Sequence, residues 1–127
     1  MDAHWLGRAA EELAAEEAAR LKLQVLDRNW RTRLGEVDLV ALDGDQLVIV
    51  EVKCRRTSVP QLGPALAVDG PKQRRLARLA HLYLQQKAAS HGLVPSRLTV
   101  RFDVCTVVWT ADEPQITWIK DAFRPEQ

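Results

Sequence analysis

Cysteine is scarce in this chain of 127 residues, which carries only Cys54 and Cys105. The two form neither a CxxC motif nor a disulfide framework. Both sit in apolar, strand-like stretches and read as buried free thiols in a reducing cytoplasm. Glycine and proline number six each, and no segment repeats, which excludes solenoids and low-complexity tails. Apolar runs stop after a few residues, as in Leu47-Val48-Ile49-Val50, too short for a transmembrane helix. The first residues, MDAHWLGRAAEELAAEEAAR, begin acidic and lack an apolar core, so no secretory signal is expected there. His4, His81 and His91 share no metal-ligand spacing. Without a GxSxG elbow, a P-loop or a GxGxxG, acyl transfer, nucleotide hydrolysis and dinucleotide chemistry lack support.

Net charge is almost missing too, at +1, but the charges are sorted along the chain. Residues 34–52 hold five acids and no base, whereas residues 53–101 hold ten bases and only Asp69. An acidic segment flanked by basic ones suits a cation site beside a polyanion. The length is that of one domain spanning 1–127, able to bury roughly two-thirds of its unfolded surface without disulfides or a structural metal.

Residues 8–22 read as an amphipathic helix with Ala10, Leu13, Ala14, Ala18 and Leu21 in its apolar stripe. Residues 23–31 are strand-like, and 36–42 and 46–54 are two strands around the turn residues Asp43-Gly44. A long loop follows over 55–70, with room for a short helix at Ala65–Val68. Residues 72–90 form a second helix with Leu76, Leu79, Ala80 and Tyr83 as its apolar stripe, Pro71 at its start and Gly92 as its stop. Strands at 98–109 and 115–119 complete the order α-β-β-β-α-β-β. The expected fold class is α/β, a mixed sheet flanked by two helices.

The chemically informative stretch is Gly35-Glu36-Val37-Asp38-Leu39 and, across the turn, Val50-Glu51-Val52-Lys53. A two-residue turn at Asp43-Gly44 pairs Leu42 with Asp45. It sets Glu36 opposite Glu51, and Asp38 opposite Ile49 on the face of Glu51 and Lys53. Opposed side chains have Cβ atoms roughly 5 Å apart. Two ionised carboxylates there repel by about 3 kcal/mol at an effective dielectric of 20. A proton, Lys53 or a divalent cation must offset that. Hard oxygen ligands without His or Cys select Mg²⁺ or Mn²⁺. Lys53 beside such an ion could orient an attacking water and steady a phosphate in its transition state. The alternative is a hairpin whose acids merely face solvent. Against it, strand 46–54 is, beyond its first residue Gln46, apolar on both faces except at Glu51 and Lys53, as an interior strand would be.

Asp38 followed by Glu51-Val52-Lys53 resembles the PD-(D/E)xK signature of restriction-endonuclease-like nucleases. With Gly7-Arg8-Ala9-Ala10-Glu11, Arg28-Asn29-Trp30-Arg31, Arg55, Lys72-Gln73 and Arg101-Phe102-Asp103-Val104, the frame is similar to the YraN-type family of bacterial proteins, themselves similar to Holliday-junction resolvases. The resemblance implies a three-layer restriction-endonuclease-like core in a single nuclease-like domain. It also implies Mg²⁺- or Mn²⁺-dependent phosphodiester hydrolysis. It makes Asp38, Glu51 and the Val52 carbonyl metal ligands, Lys53 the catalytic lysine and Glu11 a supporting acid, with Glu12 beside it as a competitor for that role. Glu36 would support the ligands from behind.

Basic residues supply the polyanion contacts. Arg28, Arg31 and Arg33 flank the acidic segment, Arg55 and Arg56 open the long loop, and Lys72, Arg74, Arg75 and Arg78 give the second helix a basic side. Trp30 is a core residue or a base-stacking one; Trp109 and Trp118 read as core, and Asp103 as a carboxylate that orders a neighbouring arginine. The expected function is a metal-dependent DNA endonuclease, branched DNA among its substrates, working as a homodimer and cytoplasmic. The alternatives are a non-catalytic nucleic-acid-binding module of the same fold, and a structural or adaptor protein.

Overall fold

The computed structural model describes residues 3–56, 68–111 and 113–125. Helix α1 (Ala3–Arg20) precedes strands β1 (Gln24–Thr32), β2 (Gly35–Asp43) and β3 (Gln46–Arg56). Helix α2 (Gly70–Gln86) then leads through two 3₁₀ turns to β4 (Thr99–Thr110) and β5 (Glu113–Ile119). This is the expected α-β-β-β-α-β-β order. The short helix anticipated at Ala65–Val68 falls outside the described residues, except for Val68, which is buried.

The five strands form one sheet in the order β1-β2-β3-β4-β5, so β3 is its middle strand. Only β3 and β4 run parallel. A parallel pair needs a crossover connection, and α2 lies within it. One face of the sheet packs under α1, through Ala10, Ala14 and Ala18 against Leu39, Val48, Val50, Cys105 and Val107. The alanine stripe lets that helix come close. The other face packs under α2, through Leu76, Leu79, Ala80 and Tyr83 against Val37, Val40, Leu47, Ile49 and Phe102.

Several local expectations change. Helix α1 ends at Arg20, and Lys22 turns the chain at φ 65°, so Leu21 leaves the apolar stripe and is exposed. Helix α2 stops at Gln86 instead of continuing to residue 90; a 3₁₀ turn at Ala88–His91 follows, closed by Gly92 at φ 70°. Cys105 is buried as expected, but Cys54 is exposed near the end of β3. Trp30 is core: it sits edge-on to Tyr83 at 5.1 Å and packs against the α2-side cluster.

The β2–β3 hairpin turns at Gly44-Asp45, one residue later than expected, and pairs Asp43 with Gln46 and Leu39 with Val50. Gly44 takes φ 61° there, a left-handed conformation that costs glycine little. Tertiary contacts hold this turn. The Thr99 N–H donates to the Asp45 carbonyl at 3.0 Å, and Arg101 Nη1 donates to Asp43 Oδ2 at 2.7 Å. The register therefore moves by two residues, which preserves which side chains share a face.

Arg101 and Asp103 form a buried pair on β4. Nε and Nη2 of Arg101 donate to the two oxygens of Asp103, each at 3.0 Å. Trp118 Nε1 and the Asp121 N–H complete the carboxylate's partners, both at 2.9 Å. This is the arginine-ordering role expected of Asp103. Arg101→Met, which strands that carboxylate, should cost about 3–5 kcal/mol, whereas Arg101→Met with Asp103→Leu should recover most of the loss. Urea unfolding of the three proteins checks this; a single-variant loss below about 1 kcal/mol would show that the pair contributes little.

Candidate active site

The acidic site forms where the β2–β3 ladder ends. The last paired residues are Leu39 and Val50. Beyond them the Val52 N–H has no β2 carbonyl to meet and donates instead to Asp38 Oδ2, at 2.7 Å. The Asp38 carboxylate thus occupies the gap between two diverging strands. The cause is an irregularity in the outer strands. Strict alternation would put Val37 and Leu39 on one side, yet Val37 packs on the α2 side and Leu39 on the α1 side. On β1, next to this switch, Asn29 has φ 51°, which an asparagine tolerates better than most residues.

The expectation that Asp38 shares a face with Glu51 and Lys53 therefore fails. Asp38 lines a cavity of about 620 Å³ with Gly7, Arg8 and Glu11 of α1 and with Asn29, Arg31 and Glu36. Glu51 follows the alternation of β3 to the α2 side, where its Oε1 accepts from Lys72 Nζ at 2.8 Å. Nor does Glu36 stand opposite Glu51; it pairs across strands with Arg31, whose Nε lies 3.0 Å from its carboxylate.

The acids nonetheless act on one another. Burial, and then the charge of Glu51, push the Asp38 carboxyl up to about 7; Glu11 and Glu36 push the same way, against the pull of the Val52 N–H. Glu11 lines the cavity, whereas Glu12 on the neighbouring face of α1 pairs with Arg28. Glu51 is only 7% exposed, an unfavourable place for a lone charge. Among the described residues, no three His, Cys, Asp or Glu side chains converge closely enough to hold an ion as they stand. Asp38 and Glu51, with the Val52 carbonyl between their elements, are the oxygen donors that a hard cation would draw together. The negative charge crowded around Asp38 is what such an ion would offset.

Lys53 is half-buried, and its ammonium makes no hydrogen bond or ion pair with the other described residues. Arg28 is held by Glu12 and Arg31 by Glu36, so both are engaged at the rim. Arg33 sits exposed in the β1–β2 turn, and Arg55 and Arg56 lie exposed at the end of β3. The stem of Arg75 crosses Gly35: a Cβ there would lie 3.3 Å from its Cδ, and Gly35 has φ 137°. Two cavity residues, Arg8 and Asn29, were not singled out individually from sequence. Arg8 had a signal, since it lies three residues before Glu11 on a helix and so shares its face.

In the unfolded chain Asp38 ionises near its ordinary 3.8, while in the folded protein it keeps its proton to about 7. Folding therefore becomes less favourable as pH rises from about 4 to 7, and the stabilisation is fully present only below that window. Asn cannot ionise and can still accept the Val52 N–H. In EDTA, Asp38→Asn should match wild type near pH 4 and exceed it at pH 8 by on the order of a few kcal/mol. Urea unfolding at both pH values measures this, and a difference that does not change with pH counts against it.

Comparison with known proteins gives a consistent lineage. The profile described as "Uncharacterised protein family UPF0102" matches residues 10–107. A UPF0102 protein of Rhodococcus opacus is 42% identical over 119 residues, covering 93% of this chain and 95% of its own. One from Pseudomonas aeruginosa is 43% identical over 120 residues, covering 92% and 90%. One from Geobacter sulfurreducens is 43% identical over 122 residues, covering 93% and 88%. These matches extend over most of the chain, and it belongs to the uncharacterised protein family UPF0102, the YraN-type family.

Proposed function

We propose that this protein hydrolyses DNA phosphodiester bonds with Mg²⁺ or Mn²⁺ as cofactor, four-way junctions being among the substrates to test. The observation that carries this reading is the Asp38 carboxylate, set in the gap between β2 and β3 and crowded by Glu51, Glu11 and Glu36. A structural hairpin gains nothing from such crowding. A site that must attract a cation does.

Asp38, Glu51 and the Val52 carbonyl would hold the ion. Bound there, it would supply a Lewis acid for a phosphate oxygen and lower the pKa of a water. The remaining work falls to the chain itself. Lys53 lies two residues beyond Glu51 on the same side of β3, and its ammonium can orient the attacking water and stabilise charge growing on the phosphate. Glu11 supports Asp38 from α1 and keeps the cavity acidic. Arg8, Arg31 and Arg33, with Arg55 and Arg56 at the end of β3, offer cations to flanking phosphates. One such domain carries one site, so cutting two strands would take a twofold dimer.

Labelled duplex and four-way-junction DNA, incubated with Mg²⁺, Mn²⁺ or EDTA, tests the proposal. Cleavage should require the metal, and Asp38→Asn and Lys53→Ala should each reduce it by on the order of 10²-fold or more. Salt-sensitive binding without metal-dependent cutting by wild type would instead support a non-catalytic nucleic-acid-binding module. No salt-sensitive binding at all would sink both readings.

A further inference from the structure

Lys72 was expected among the phosphate contacts of α2, yet its ammonium faces inward. Nζ lies 2.8 Å from Oε1 of Glu51. The first turn of α2 fixes that aim. The Lys72 N–H donates to the capping Asp69 Oδ1 at 2.9 Å, and Gln73 Nε2 donates to the Val68 carbonyl at 2.8 Å. We infer that Lys72 is a displaceable counter-ion: it neutralises Glu51 until a divalent cation takes that carboxylate, and is then released toward phosphate. This rests on the metal-dependent reading above and assigns the residue that the cation must displace.

A comparison with the Arg101–Asp103 pair shows why this one can open. Arg101 is 5% exposed in its side chain, and its guanidinium donates to Asp103, Asp43 and Gln46 at once. Such a pair is structural. The Lys72 side chain is 33% exposed, and among the described residues its ammonium meets only Glu51. Lysine is a compact charge on a flexible stem, so a few side-chain rotations carry the ammonium to solvent. A doubly charged ion at Glu51 would both replace its neutralising charge and repel it. Glu51 is meanwhile held by Lys72 from the α2 side. Once released, Lys72 stands on the same helix as Arg74 and Arg75, beside the face where phosphates would lie.

Calorimetric titration with Mn²⁺, without DNA, tests this on the full chain. The proteins are wild type, Lys72→Met, Lys72→Gln and, as a control, Lys87→Met, which removes the same charge from the far end of α2. Both Lys72 variants should bind Mn²⁺ roughly tenfold more tightly than wild type, the worth of one charge-assisted hydrogen bond, while Lys87→Met stays unchanged. Thermal melts should show Lys72→Met less stable than wild type in EDTA and rescued more strongly by Mn²⁺. Lys72→Gln keeps a hydrogen-bond donor for Glu51 and serves if Lys72→Met does not fold without metal. Equal or weaker Mn²⁺ binding by the Lys72 variants, with wild type binding the ion, overturns the inference and leaves the metal site standing. Equal tightening by Lys87→Met also overturns it, because bulk charge would then explain the effect. If no protein binds Mn²⁺, the metal-dependent reading fails and this inference with it.

Discussion

A backbone N–H inside a sheet has to find an acceptor, and at Val52 that acceptor is a side chain. The β2–β3 ladder stops at Leu39 and Val50, and the Asp38 carboxylate takes the next N–H at 2.7 Å. An unsatisfied buried amide would cost about 1–3 kcal/mol, so the carboxylate is tied to the gap as firmly as any strand partner. Much of the site follows from that bond. It brings Asp38 within electrostatic reach of Glu51, although the two carboxylates belong to opposite sides of the sheet. Beside it, β1 and β2 change the faces of their side chains at Asn29 and Asp38. The opening between α1 and the sheet is lined by Glu11, Glu36 and Asp38 together with Arg8 and Arg31.

Charge neutralisation separates the two ends of the sheet. Near the β2–β3 turn, Arg101 and Asp103 satisfy one another and recruit Trp118, Asp121, Asp43 and Gln46, which locks β4 to β5 and to the hairpin turn. Where β2 and β3 diverge, compensation is incomplete. Lys72 answers Glu51, while Asp38 stays crowded by negative charge and held well above the usual carboxylate range. Stability at one end and unrelieved charge at the other is the pattern of a scaffold that supports a site. The proposed hydrolysis and the proposed release of Lys72 both draw on that unrelieved charge.

Much of the architecture was legible along the chain. The seven main elements appear in the expected order, because their periodicities are strong and their boundary signals are clear, such as Pro71 in the first turn of α2. Asp103, expected to order a neighbouring arginine from its strand, does so with Arg101. Other details were not legible. Leu21 continues the alanine stripe in sequence, but Lys22 ends the helix first. The hairpin register moved by two residues because Asp45 and Asp43 are held by β4, a strand more than fifty residues further along. Cys54 lies near the end of β3, where alternation no longer implies burial.

Residue types and spacing by themselves determined that Asp38, Glu51 and Lys53 come from a hairpin inside an α/β domain, since strand periodicity and hairpin connectivity are local properties. The family follows from the same residues in the same order. Only the tertiary structure decided how the carboxylates meet. Local alternation placed Asp38 and Glu51 on one face; the fold sets one in the gap beside α1 and hands the other to Lys72 of α2. No local pattern encodes that, because it depends on where two helices dock on opposite faces of the sheet. The same docking chose Glu11 over Glu12, turning one toward the cavity and the other toward Arg28. Adjacent residues on a helix point about 100° apart, and only packing selects which of them faces the site.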